Sequence, residues 1–241
     1  MSTPSRSPSS ICTVQRAAIA LNVVVCKLEG GTLGVILLRA KGDAPQHRGR
    51  WSLPGAWHVP GAHLDAAAVQ IVSDTVGCSP AWISQVGAFD QAGSPPATSA
   101  LTVAYVGVVP SGAGHPDGTT SRRFAAADLP PLPPGQKALV FAALATLRSR
   151  LHNTPVAFRF LAPSFTLSEL QAVYELLLGR SLHKASFRRS LHAARLVAPT
   201  VQWRVDGPGR PAQLFCYSPA TTKGGQQNVR FEIGDGRGFV Y

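Results

Sequence analysis

Acidic residues are scarce in this 241-residue chain, which contains 12 Asp and Glu against 23 Lys and Arg and carries a formal net charge of +11. An excess of positive charge fits a polyanionic partner, although a basic protein need not bind DNA specifically. The shortage of carboxylates also works against hydrolysis assisted by metal ions, because a divalent-metal site and a general base both need positioned acids.

Cysteine pairs and long apolar runs are missing as well. Cys12, Cys26, Cys78 and Cys216 show no C-x-x-C spacing, which argues against a metal cluster or a disulfide framework and suits a reducing cytoplasm. No run approaches the roughly twenty apolar residues of a membrane span, and residues 1–10 lack the apolar core of a secretion signal. We therefore expect a cytoplasmic protein with no membrane partner, no metal and no cofactor.

The length and composition of the chain predict two domains. At 45% apolar residues, the chain can bury one moderate and one small core. Residues 1–16 are Ser/Pro-rich and are expected to form a flexible arm. Residues 17–151 read as an α/β domain that ends in a linking helix, from about Gln136 to Leu151. Residues 152–241 contain the second domain and a C-terminal tail.

A strand–turn–helix pattern stands out in the first domain. The apolar strand Leu33–Leu38 is followed by Arg50-Trp51-Ser52-Leu53-Pro54-Gly55-Ala56 and then by a helix that Gly77 closes. This pattern resembles the Nudix box of nucleoside-diphosphate hydrolases. The resemblance implies an N-terminal Nudix α/β/α sandwich with a mixed sheet.

The acids of that motif are largely absent. In the Nudix family they hold a divalent metal on a pyrophosphate, and the helical ones share one face through i, i+3 and i+4 spacing. Aligned on Gly77, the corresponding positions are Ala62, Ile71, Asp74 and Thr75, so one carboxylate of four survives. The resemblance therefore implies a retained fold, a lost catalytic activity and no enzyme.

A nucleotide pocket is still expected near the turn. Arginines and backbone N–H groups there could meet a pyrophosphate. The predicted effector-binding residues are Arg39, Arg50, Trp51, Gly55 and Asp74.

The second domain predicts a helix-turn-helix. Thr166-Leu167-Ser168-Glu169 has the spacing of a capping box, and an apolar stripe follows it up to Gly179. A three-residue turn, Arg180–Leu182, leads to a second helix, from His183 to about Arg195. Two short helices joined by a tight turn, the second with a basic face, are typical of DNA-binding helix-turn-helix proteins.

A hairpin after the second helix resembles a wing. Val201–Val205 and Ala212–Tyr217 read as strands, and residues 206–211 form the turn between them. An arginine near such a tip could reach a backbone phosphate. The predicted DNA-contacting residues of the second helix and the wing are Lys184, Arg188, Arg189, His192, Arg195, Arg204 and Arg210.

Several strings in this region look like the C-terminal domain of the Nudix-related transcriptional regulators called NrtR. The resemblance implies a homodimeric bacterial repressor of NAD biosynthesis and salvage genes that binds a palindromic double-stranded operator and senses ADP-ribose or a related NAD-derived nucleotide. One departure is Pro134-Gly135-Gln136, where many relatives carry an aromatic-Asp-His string. The matching strings are Phe165-Thr166-Leu167-Ser168-Glu169-Leu170-Gln171, Val173-Tyr174-Glu175, Leu178-Gly179-Arg180, Phe187-Arg188-Arg189 and Gly209-Arg210-Pro211-Ala212-Gln213-Leu214.

Three interpretations stay open at the level of sequence. The first is this ligand-responsive transcription factor. The second is a Nudix-type ADP-ribose pyrophosphatase with an altered metal site, for which Asp65 is the nearby candidate for a second carboxylate beside Asp74. The third is a nucleotide-binding module that pairs with another protein through its C-terminal domain, without binding DNA.

Overall fold

The computed structural model describes residues 18–39, 50–90, 99–113, 120–152, 154–205 and 211–218. The predicted N-terminal arm and the wing residue Arg210 lie outside these described residues.

The first domain is built on a mixed sheet. Its strands run in the order β3-β2-β1-β6-β5, with β4 paired to β1 and β7 paired to β2. The β1 and β6 strands are parallel and the other pairs are antiparallel, so the predicted mixed sheet is confirmed. The strands are β1 (Ala18–Glu29), β2 (Thr32–Arg39), β3 (Trp51–Ser52), β4 (Gly55–Trp57), β5 (Trp82–Phe89), β6 (Ser99–Val109) and β7 (Ser121–Ala125).

Both faces of this sheet are covered. Alternate residues of β1 point to opposite sides, so that Val24 belongs to one apolar cluster and Val23 to the other. Helix α1 (Leu64–Val76) packs on the Val23 side through Ala68 and Val72, and helix α2 (Gln136–Arg150) packs on the Val24 side. The predicted α/β/α sandwich is therefore confirmed.

The second domain has the element order of a winged helix. A short 3-10 helix (Pro155–Phe160) and strand β8 precede two helices, and a β-hairpin follows them. The three strands form a separate sheet in the order β8-β10-β9. The elements are β8 (Ser164–Phe165), α3 (Leu167–Leu178), α4 (Lys184–Ala193), β9 (Val197–Arg204) and β10 (Ala212–Tyr217).

Two predicted boundaries in this domain were wrong. Helix α4 ends at Ala193 rather than near Arg195, whose φ of 49° takes the chain out of the helix. Strand β9 begins at Val197 rather than Val201. Pro199 does not interrupt it, because β9 is an edge strand in which the missing N–H faces away from the ladder.

Helix α2 joins the two domains. Its buried side chains, including Leu139 and Leu147, belong to one continuous apolar cluster that extends from the main sheet to α3 and α4. Near its C-terminus, Arg148 Nε donates a hydrogen bond to the Leu177 carbonyl oxygen at the end of α3, at 3.0 Å. Within the described part of the chain, no helix is long and apolar enough to cross a membrane.

Candidate nucleic-acid interface and effector domain

Helix α3 begins at the predicted capping box. The Thr166 hydroxyl oxygen accepts from the Glu169 N–H at 3.1 Å, and the Glu169 carboxylate accepts from the Thr166 N–H at 2.7 Å. Two backbone N–H groups at the helix start are thereby satisfied through contacts only three residues apart. Such local bonds explain why the sequence identifies this helix start.

The turn between α3 and α4 is held by one carboxylate. Glu175 Oε1 accepts from the Leu182 N–H at 2.7 Å and from Gln171 Nε2 at 2.9 Å. These two hydrogen bonds lower the pKa of Glu175, so the carboxylate stays ionised. Across the helices, the rings of Tyr174 and Phe187 meet edge to face at 5.4 Å. The angle between α3 and α4 is thus fixed by polar and apolar contacts together.

Helix α4 presents a cationic surface to solvent. Phe187 and Leu191 are buried against the domain, which leaves the opposite side exposed. Ten residues form the helix, and none of them is acidic. A rigidly mounted helix with this face has the geometry needed to enter a major groove. The predicted contact residues that it exposes are Lys184, Arg188, Arg189 and His192.

Two further predicted DNA contacts lie elsewhere. Arg195 follows the helix and is exposed in a left-handed backbone conformation. Arg204, at the end of β9, is not a free surface cation, because its Nη1 lies 2.6 Å from Glu169 Oε1. Residue type alone predicts Arg204 as a DNA contact, because its partner Glu169 lies 35 residues away along the chain.

An aromatic and arginine cluster lies at one edge of the main sheet. Trp51 packs edge to face on Phe124 with ring centroids 4.9 Å apart. The Arg39 guanidinium carbon lies 6.0 Å from the Trp51 ring, and that of Arg122 lies 5.4 Å from the Phe124 ring. A guanidinium group can bind phosphate, and an indole ring can stack on a base. Arg122 and Phe124 were missed at the level of sequence, because the strand that carries them has no alternating apolar pattern.

The other predicted effector residues do not all join this cluster. Trp51 packs against the apolar cluster on the side of the sheet that α2 covers. Asp74 lies on α1, which covers the opposite side. Arg50 is exposed immediately before β3. Gly55 is needed for a close approach to β1, because an added Cβ would lie 2.5 Å from the Leu21 carbonyl oxygen.

Three of the four positions that the resemblance to the Nudix box aligns with acids carry no carboxylate. Ile71 packs against the apolar cluster on the α1 side, and the Thr75 hydroxyl donates to the Ile71 carbonyl oxygen at 2.7 Å. Ala62 is exposed ahead of α1. Asp74, the remaining acid, accepts from Gln70 Nε2 at 2.7 Å.

Asp65 does not supply a second carboxylate beside Asp74. The two residues are nine positions apart on α1, which places them on opposite faces of the helix and about 13 Å apart along its axis. Asp65 instead accepts a hydrogen bond from the Tyr105 hydroxyl at 2.6 Å. Among the described residues, no three His, Cys, Asp or Glu side chains are grouped closely enough to hold a metal ion.

A buried hydrogen bond joins the Nudix-like turn to the linking helix. The Leu53 N–H donates to Gln136 Oε1 at 2.7 Å, and both residues are almost completely buried. Gln136 is the first residue of α2. A shift of the turn would therefore act directly on the start of α2.

A Nudix-like α/β domain, joined by one helix to a winged helix domain, defines the class of this protein. Residues 157–217 match the family model of the NrtR DNA-binding winged helix domain. The chain is 27% identical over 221 residues to the "ADPR responsive transcriptional repressor NtrR" of Acinetobacter baylyi, covering 88% of this chain and 83% of that protein. The resemblance to the NrtR family that the sequence predicted is thereby confirmed.

Solved structures show the same resemblance. The crystal structure of Shewanella oneidensis NrtR complexed with a 27mer DNA is 26% identical, with a TM-score of 0.74 and coverage of 83% of this chain and 94% of that chain. A MutT/nudix family protein from Enterococcus faecalis is 15% identical with a TM-score of 0.68, and it covers 85% of this chain and 89% of its own. The latter likeness supports the fold alone.

Proposed function

We propose that this chain is a DNA-binding transcriptional repressor of NAD biosynthesis or salvage genes. Its Nudix-like domain senses ADP-ribose or a related NAD-derived nucleotide and does not hydrolyse it. The observation that carries the proposal is the exposed cationic face of α4, mounted on a helix-turn-helix whose turn is pinned by Glu175. The NrtR of Shewanella oneidensis, to which this chain is similar throughout both domains, crystallised with DNA.

Base recognition falls to Arg188 and Arg189. An arginine can donate two hydrogen bonds to the major-groove edge of guanine, and a contact of this kind contributes about 1–3 kcal/mol of discrimination. Lys184 and His192 lie on the same exposed side, and they supply backbone contacts that position α4 without reading sequence. Arg195, which follows the helix, extends the cationic surface.

The repressor acts as a homodimer on a palindromic operator. Two copies of α4 must then reach two half-sites that are separated by about one turn of DNA. A nucleotide alters DNA affinity only if it binds more tightly to one arrangement of the dimer than to another. The Leu53–Gln136 hydrogen bond and the Arg148–Leu177 hydrogen bond lie at the two ends of α2, so α2 carries the change from the pocket to the reading helix.

The effector site is assigned to the cluster around Trp51. Arg39 and Arg122 provide positive charge for a pyrophosphate, and the rings of Trp51 and Phe124 provide an apolar surface beside it. The relative in Acinetobacter baylyi is described as ADPR responsive, which supports the same class of ligand here. Asp74 is left out of this cluster because it lies on the other side of the sheet.

Hydrolysis is not part of the proposal, because the donor set does not suit it. Mg²⁺ in a nucleotide site needs oxygen ligands that converge on the phosphates. Ile71 and Thr75 offer no carboxylate, and Asp65 is on the far side of α1 from Asp74. An ADP-ribose pyrophosphatase with an altered metal site would need acids that this helix does not bring together.

The direct test is an electrophoretic mobility shift with the promoters of NAD-biosynthesis genes. Wild-type protein is expected to shift them in preference to unrelated DNA, and Arg188→Ala with Arg189→Ala should weaken the shift. Lys137→Ala is the matched control, since it removes one exposed positive charge from α2, outside the winged helix domain. Equal binding by the arginine variants and the control would mean that α4 is not the reader.

A further inference from the structure

The carboxylate of Glu169 serves two elements at once. One oxygen, Oε2, accepts from the Thr166 N–H at 2.7 Å and so caps the start of α3. The other, Oε1, accepts from Arg204 Nη1 at 2.6 Å. Arg204 is the last residue of β9, the strand from which the wing departs. A single side chain therefore ties the wing to the first turn of α3.

The same helix also carries the reading helix. Glu175 on α3 holds the turn before α4, and Tyr174 on α3 packs on Phe187 of α4. The wing strand is thus held to the first turn of α3, and α4 is held to the second half of α3. The position of the wing strand relative to α4 therefore depends on these contacts. That position matters for DNA binding, because both elements must meet the same duplex.

Large side chains next to Arg204 are exposed at the end of β9. Neighbouring residues of a strand point to opposite faces. With Arg204 turned toward α3, Trp203 and Val205 are 57% and 66% exposed.

The charge state of Glu169 supports this arrangement. Partial burial acts to raise the pKa of Glu169, but the hydrogen bonds from the Thr166 N–H and from Arg204 outweigh that effect and lower it. The carboxylate is therefore ionised at neutral pH, as a pair with arginine requires. Both side chains are partly exposed, at 34% for Arg204 and 42% for Glu169, and exposed pairs of this kind contribute little to global stability.

We propose that Glu169 and Arg204 are positioning residues for DNA binding, which orient the wing relative to α4, and that Arg204 does not itself bind a phosphate. The proposal rests on the proposed DNA-binding function. It assigns Arg204 a role different from the phosphate or base contact that its charge and location in the wing suggest.

Paired substitutions test this assignment. Glu169→Gln keeps a capping box, which accepts glutamine as well as glutamate, but removes the charge that holds Arg204. Arg204→Gln removes the partner. Each change is expected to weaken operator binding by roughly two- to fivefold, and the double variant should be no weaker than the single ones. The control Thr166→Ala removes the hydroxyl of the cap and leaves the ion pair in place.

The salt dependence of operator binding separates positioning from direct contact. A positioning pair leaves the slope of log K against log salt unchanged in both variants, with little change in thermal stability. If Arg204 binds a phosphate, Arg204→Gln lowers that slope by about one unit, and Glu169→Gln leaves binding intact or strengthens it by freeing the arginine. That second pattern overturns the inference alone. Absence of operator binding by the wild-type protein would overturn the proposed function as well.

Discussion

The hydrogen bond between Leu53 and Gln136 predicts a large effect for one conservative substitution. Gln136→Met keeps an unbranched side chain of similar size and removes the acceptor that lies 2.7 Å from the Leu53 N–H. Both residues are at most 4% exposed, so water cannot easily replace the lost acceptor. A buried N–H left without a partner costs about 1–3 kcal/mol, which is roughly a 5- to 150-fold change in the unfolding equilibrium.

Urea unfolding of the two proteins measures this free energy. The control is Lys137→Met, the adjacent residue on α2, which is exposed and makes the same kind of polar-to-methionine change. Its effect should stay within about 0.5 kcal/mol, as is usual for surface substitutions. Amide hydrogen exchange at Leu53 should also become faster in Gln136→Met alone. If the two variants unfold alike, the bond does not hold the turn to α2, and the proposed route from pocket to reading helix loses its first step.

Three other outcomes follow from the described contacts. Incubation with ADP-ribose and Mg²⁺ or Mn²⁺ should yield no AMP, because the carboxylates of a metal site are not assembled; turnover near one per second, a usual enzyme scale, would contradict this. Phe124→Leu should weaken ADP-ribose binding in calorimetry and leave operator affinity unchanged, since it removes the ring on which Trp51 packs; loss of both affinities would point to a folding defect instead. The pKa of Glu169 is lowered in the folded protein, so its contribution to stability is present above the ordinary pKa of 4.5 and is lost as pH falls through the folded value. The free energy of unfolding of wild type minus that of Glu169→Gln is expected to be small at neutral pH, because the pair is partly exposed, and it should shrink further below about pH 4.5. A difference that is constant with pH would mean that the carboxylate is not the cause.

Local contacts made much of the fold predictable from the sequence. The capping box at Thr166 and Glu169 spans three residues, and the left-handed end of α3 at Gly179 is a property of the residue itself. The apolar stripe of α3 likewise depends on short-range spacing. These features place the helix-turn-helix correctly, and they expose the basic residues of α4.

The remaining features depend on contacts between distant parts of the chain. Gln136 meets Leu53 from 83 residues away, and Arg204 meets Glu169 from 35 residues away. Residue type alone gives no sign of either partner. The packing of α1 also determines which side of the sheet Asp74 occupies. The predicted effector residues Trp51 and Asp74, chosen from one motif, therefore lie on opposite sides of the sheet.

We propose that nucleotide and operator DNA bind to the same molecule and that each weakens the binding of the other. Calorimetric titration of ADP-ribose into the free protein and into the protein saturated with operator measures this coupling in both directions, because linkage requires the effects to be reciprocal. We predict weaker ADP-ribose binding in the presence of operator, matched by weaker operator binding in the presence of ADP-ribose. Equal affinity for ADP-ribose in the two titrations would contradict the account and leave the Nudix-like domain as a dimerisation scaffold that does not sense this ligand.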